Sequence, residues 1–85
     1  MVLKCTRFHS TSVDKGKLAI RKFGKRVREL RLHFGWSQED LAFELEVDRS
    51  YVSSLELGRR NPTLKTIAKL ADKLGVSISE LFDEI

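Results

Sequence analysis

Apolar residues from Leu18 to Ile85 recur at intervals of three and four, the period of helices that bury one face. Ile20, Phe23, Val27, Leu30 and Phe34 make one such stripe, with Gly35 as the residue just past its end. Gly24 weakens that helix without breaking it. A second helix opens at Trp36-Ser37-Gln38-Glu39-Asp40-Leu41, where Ser37 is a cap, Asp40 a capping-box acid, and Trp36 and Leu41 a hydrophobic staple. The same order of apolar residue, polar cap and apolar fourth position returns at Val47-Asp48 with Val52, and at Val76-Ser77 with Glu80 and Leu81. Another helix follows Pro62-Thr63, with Leu64, Ile67, Ala68, Ala71 and Leu74 as its buried stripe and Gly75 as its stop. The pattern predicts an all-α chain of five helices with no strand.

Spacing narrows this further. The second helix runs from about Ser37 to Leu45, and Glu46-Val47 leaves room only for a tight turn before the third begins near Asp48. Two short helices joined in that way, with Leu41, Ala42, Leu45, Val47, Val52 and Leu55 turned inward, form a helix-turn-helix. A generic helical bundle would explain the same apolar residues but not what the third helix leaves outside: Arg49, Ser50, Tyr51, Ser53 and Ser54. Arginine bonds guanine O6 and N7 in a bidentate fashion, and serine donates to or accepts from bases and phosphates while allowing close approach. The Tyr51 ring suits a thymine methyl, a sugar or the edge of the core.

Charge sharpens the picture. Met1 to Phe34 holds ten Lys or Arg against Asp14 and Glu29, whereas Gly35 to Ile85 holds six against ten acids, within a net charge of +4. A basic half attracts phosphates, and an acidic half stays off them. Basic residues also solvate helix faces, so charge alone does not decide the matter. The 85 residues suit one domain. Residues 1–17 lack a sustained period and read as a flexible basic N-terminal arm, leaving 18–85 as the folded domain. Cys5 is the only cysteine, which rules out an internal disulfide and suits a reducing cytoplasm. No signal-like or membrane-spanning apolar run is visible, so a soluble protein is expected.

Together, Ser37-Gln38-Glu39-Asp40-Leu41-Ala42, Val47 through Glu56, and Gly58-Arg59-Arg60-Asn61-Pro62 resemble the lambda-repressor-like, Cro/C1-type (XRE) helix-turn-helix family. The resemblance covers roughly Leu18 to Ile85. Within the family the chain resembles the small controller proteins of restriction-modification systems, although phage repressors and antitoxins share the pattern. The resemblance implies a compact five-helix DNA-binding domain. It also implies that Gln38 contacts phosphate and orients the third helix, that Arg49, Ser50, Ser53 and Ser54 reach base edges, and that Arg59, Arg60 and Asn61 grip the backbone. Arg31 and Glu56 match a partly buried ion pair of structural role. Two positions depart from the family pattern: Glu46 stands where glycine is usual, which implies backbone strain of roughly 1 kcal/mol. Leu57 is apolar where a polar residue is common, and either covers the core or weakens a phosphate contact.

Other chemistry finds little support. Lys4, Arg7, Lys15 and Lys17 could follow the duplex as a basic arm, although a disordered tail is the commoner outcome. Cys5 and His9 are too few for a metal site, no cofactor motif is present, and no nucleophile, carboxylate pair or phosphate loop stands at an enzymatic spacing. Because one such domain reads few base pairs, a homodimer on a palindromic site is expected. Leu81 should face inward, leaving Phe82 and Ile85 as candidates for the dimer contact. The sequence thus predicts a cytoplasmic, sequence-specific transcriptional regulator, repressor or controller, with double-stranded DNA as partner, RNA polymerase as a further possible one, and no membrane. A helical protein-interaction module of antitoxin type is the alternative.

Overall fold

The computed structural model describes residues 14–83, which form α1 (Lys15–His33), α2 (Gln38–Leu45), α3 (Arg49–Glu56), α4 (Leu64–Leu74) and α5 (Ile78–Leu81), with no strand among them. The first helix begins at Lys15 instead of Leu18. Asp14 explains the earlier start, because its carboxylate accepts from the amides of Gly16 (3.0 Å) and Lys17 (3.2 Å). Lys15 and Lys17 therefore belong to α1 and not to an arm. Lys4, Cys5, Arg7, His9 and Ile85 lie outside the described residues.

Local capping accounts for most of the other boundaries. The Ser37 hydroxyl accepts from the Asp40 amide (3.0 Å), and the Asp40 carboxylate accepts from the Ser37 amide (2.9 Å). That amide holds the Asp40 carboxyl below its usual range. Ser77 and Glu80 repeat the exchange at 3.0 and 2.8 Å, and the Thr63 hydroxyl caps α4 through the Thr66 amide. Asp48 occupies the capping position of α3 with an extended backbone, but its carboxylate makes no cap bond. Gly35 and Gly75 follow α1 and α4 as expected.

All five helices contribute to one core, in which Val27, Leu41, Val52, Leu55, Leu70 and Leu81 are fully buried. Ala42 is buried on α2, the helix that packs on α3. The buried face of α4 differs from the predicted stripe: Leu64 is 82% exposed and Ala68 is also exposed, while Leu70 is buried in their place. Ile67, Leu70, Ala71 and Leu74 lie at i, i+3, i+4 and i+7, so rotating the stripe keeps helical periodicity while choosing another side. Phe34, just past the end of α1, is exposed as well.

The turn between α2 and α3 is made by Glu46, at φ 62° and ψ 43°. Lys69 of α4 braces it, donating to the Leu45 carbonyl (3.2 Å) and lying 3.5 Å from the Glu46 carboxylate. The carboxylate is largely exposed, so the ion pair contributes little, whereas the left-handed backbone disfavours any side chain. Glu46→Gly is expected to stabilise the domain by about 0.5–1 kcal/mol. An unchanged or lower urea midpoint would show that the turn is not strained.

Candidate nucleic-acid interface

Eight residues are too few for a stable isolated helix, so packing must hold α3 in place. Val52, Leu55 and Glu56 are its buried side. Opposite them, Ser50 and Ser54 form one i, i+4 row, and Arg49 and Ser53 form the neighbouring row. Arg49 and Ser50 are exposed, while Ser53, Ser54 and Tyr51 are half-buried. Tyr51 packs against the core from the flank, so its ring belongs partly to the interior.

Glu56 anchors the other end of the helix. Its carboxylate accepts from Arg31 Nε (2.6 Å) and Nη2 (3.0 Å), and both side chains are buried. Arg31 Nη1 also donates to the Trp36 carbonyl (2.8 Å), tying the end of α1 to the entry of α2. Gln38 Nε2 donates to Glu56 Oε1 (3.1 Å). The first residue of α2 is thus held by the last residue of α3, an arrangement invisible in the sequence because the partners are 18 positions apart.

Beyond Glu56 the chain turns through Leu57 and Gly58. Leu57 is 58% exposed and so does not cover the core. Gly58 has φ +77°, and a Cβ there would stand 2.9 Å from both Cα and Cγ of Arg21, so conformation and close packing both call for glycine. The Arg59 amide donates to the Ser54 carbonyl (2.9 Å), fixing the start of the loop. The Arg60 guanidinium lies 4.9 Å from the centre of the Tyr51 ring, a cation–π contact that folds the loop back over α3. Arg59, Arg60 and Asn61 are all exposed. Gln38, α3 and the 58–61 loop are therefore joined through Glu56 and Tyr51.

Two further residues have roles that sequence does not reveal. Gly24 is buried where α1 crosses the end of α3, with room for no Cβ. Arg26 donates twice to the Glu80 carbonyl (3.3 and 2.8 Å), fastening α5 to α1. At that end Leu81 is fully buried, and Phe82 stacks on Phe23 (5.0 Å between centroids) while staying 39% exposed. Ile78, four residues before Phe82, is half exposed. Among the described residues no cluster of His, Cys, Asp or Glu is arranged to hold a metal, and no helix is long and apolar enough to cross a membrane.

Comparison with known proteins agrees with this geometry. The family model for helix-turn-helix proteins (HTH_3) matches residues 27–81, from the middle of α1 to the end of α5. The control protein C.MunI from a Mycoplasma species is 40% identical over 65 residues, covering 75% of this chain and 88% of that protein. The crystal structure of the restriction-modification controller protein C.AhdI from Aeromonas hydrophila superposes with a TM-score of 0.72 at 50% identity, covering 75% of this chain and 97% of that one. SinR, a master regulator of biofilm formation crystallised in complex with DNA, gives a TM-score of 0.66 at 34% identity, covering 72% of this chain and 98% of its own. The chain belongs to the helix-turn-helix family of DNA-binding transcriptional regulators, and is similar within it to controller proteins.

Proposed function

We propose that the chain binds a palindromic operator as a homodimer, each copy placing α3 in the major groove. Its partners are then double-stranded DNA, a second copy of itself, and RNA polymerase, which it blocks or recruits from a cytoplasmic, nucleoid-bound position. The observation that carries this reading is the outer side of α3: exposed Arg49 and Ser50 and half-buried Ser54, with Gln38 at one border and Arg60 at the other. Arg49 reads a base edge, Ser50, Ser53 and Ser54 bond bases or nearby phosphates, and Tyr51 contributes its ring. Gln38, Arg59, Arg60 and Asn61 hold the backbone and set the register. Ile78 of α5 and Phe82 just past its end, with Ile85 beyond the described residues, supply the apolar contact between copies. The mechanism is equilibrium occupancy, with no covalent step and no cofactor.

Selection of bound duplexes from a random pool tests the reading, followed by titration of the enriched duplex with wild type and Arg49→Ala. A palindrome should emerge. The substitution should lower discrimination at one position of each half-site by about 1–3 kcal/mol. If no sequence is enriched, groove reading fails and a protein-interaction module of antitoxin type becomes the better account.

A further inference from the structure

The charges of α1 are placed where helix stability disfavours them. Its first turn carries Lys15 and Lys17 and no acid, although the amino end of a helix is the positive pole of its peptide dipoles. Lys17, Arg21 and Lys25 follow at intervals of four, with Arg28 three further on, spacings at which like charges repel. All four are exposed, and among the described residues none is in an ion pair. The other arginines of the helix are differently employed, Arg31 with Glu56 and Arg26 with the Glu80 carbonyl.

Position supplies the second half of the argument. At 3.6 residues per turn, Lys17, Arg28 and Arg21 fall within about 40° of arc, with Lys25 about 40° further round. This row borders Gly24, which lies against the end of α3, and Arg21 itself is packed against Gly58 at the head of the Arg59–Arg60 loop. The basic row of α1 therefore adjoins the loop that carries Arg59 and Arg60. From Lys17 to Arg28 it extends roughly 16 Å, the axial length of about five base pairs.

We propose that Lys17, Arg21, Lys25 and Arg28 form a second phosphate-binding surface, which takes the backbone of the duplex outside the groove occupied by α3. This rests on the operator-binding reading above and extends it. Cations that a free helix disfavours become favourable once phosphates neutralise them, and such contacts add affinity and salt dependence but no sequence preference.

The test uses the full chain and its selected duplex, with flanks either long or trimmed to the recognition sequence. Arg21→Gln/Arg28→Gln is compared with Lys22→Gln/Lys73→Gln, which removes equal charge elsewhere, and with Arg21→Lys/Arg28→Lys, which keeps it; circular dichroism verifies folding. Loss of two phosphate contacts per copy, four per bound dimer, should reduce the slope of log affinity against log salt by about 3.6. It should also abolish the advantage of long flanks while leaving sequence preference intact. The lysine pair should retain the wild-type slope. An equal reduction in the Lys22/Lys73 control, an unchanged slope, or altered sequence preference would overturn the proposal while wild-type operator binding stood. Failure of the wild type to select any duplex would instead remove the reading on which it rests.

Discussion

Gly24→Ala is expected to destabilise the domain severely, although helix propensity alone argues the opposite sign. Alanine inside a helix is favoured over glycine by about 1 kcal/mol. At this position, however, the new Cβ would stand 2.2 Å from the Leu55 carbonyl oxygen and 2.8 Å from that of Glu56. Both obstacles are backbone, so no rotamer change relieves the clash, and α1 must move away from α3. Overpacking of this kind costs about 3 kcal/mol or more. A domain this small has a total stability of roughly 4–10 kcal/mol. A fall in melting temperature of at least 10 °C should follow. The displaced end of α3 also carries Glu56 and leads into Gly58 and Arg59, so operator affinity should fall even at temperatures where the variant remains folded. A variant as stable as wild type would mean that α1 and α3 do not approach closely here.

Gly24 also shows which parts of the fold could be read from sequence. Ser37 with Asp40 and Ser77 with Glu80 were legible because both partners of each capping box lie within one helical turn, where local geometry is fixed by spacing. The tight turn at Glu46 and the glycines after α1 and α4 were legible for the same reason. Gly24 read only as a weak point, since the α3 backbone that excludes a side chain there comes from 31 or more positions downstream. The buried side of α4 was misassigned because Leu64 and Leu70 are equally apolar, and only the elements packed on the helix choose between them.

At the candidate interface, the identities of Arg49, Ser50 and Ser54 could be read from what the core leaves over on an eight-residue helix. Their supports could not. The links from Gln38 to Glu56 and from Arg60 to Tyr51 join segments distant in sequence, and neither pair carries a local signature. The start of α1 is hidden for a simpler reason: Asp14 sits in a polar stretch without helical period, although its carboxylate caps the amides of Gly16 and Lys17.

Glu56→Ala should cost about 3–5 kcal/mol, because it strands the Arg31 guanidinium in a site where the residue is only 5% exposed. Arg31→Met should cost a similar amount, leaving a buried carboxylate with the Gln38 amide as its remaining side-chain partner. The double variant Arg31→Met/Glu56→Leu removes both charges together and should lose much less than the sum, since neither ion is left unpaired. A coupling energy above about 2 kcal/mol in urea unfolding is the expected measure of the pair, and one near zero would show that each residue acts separately. Stability is only half of what the carboxylate contributes. In the double variant Gln38 loses the acceptor that holds its side chain at 3.1 Å, so a protein restored in stability should still bind the operator more weakly than wild type. Such a loss, with sequence preference unchanged, would mark Glu56 as the residue that positions a phosphate contact. Full recovery of affinity along with stability would reduce the pair to a structural link between α1 and α3.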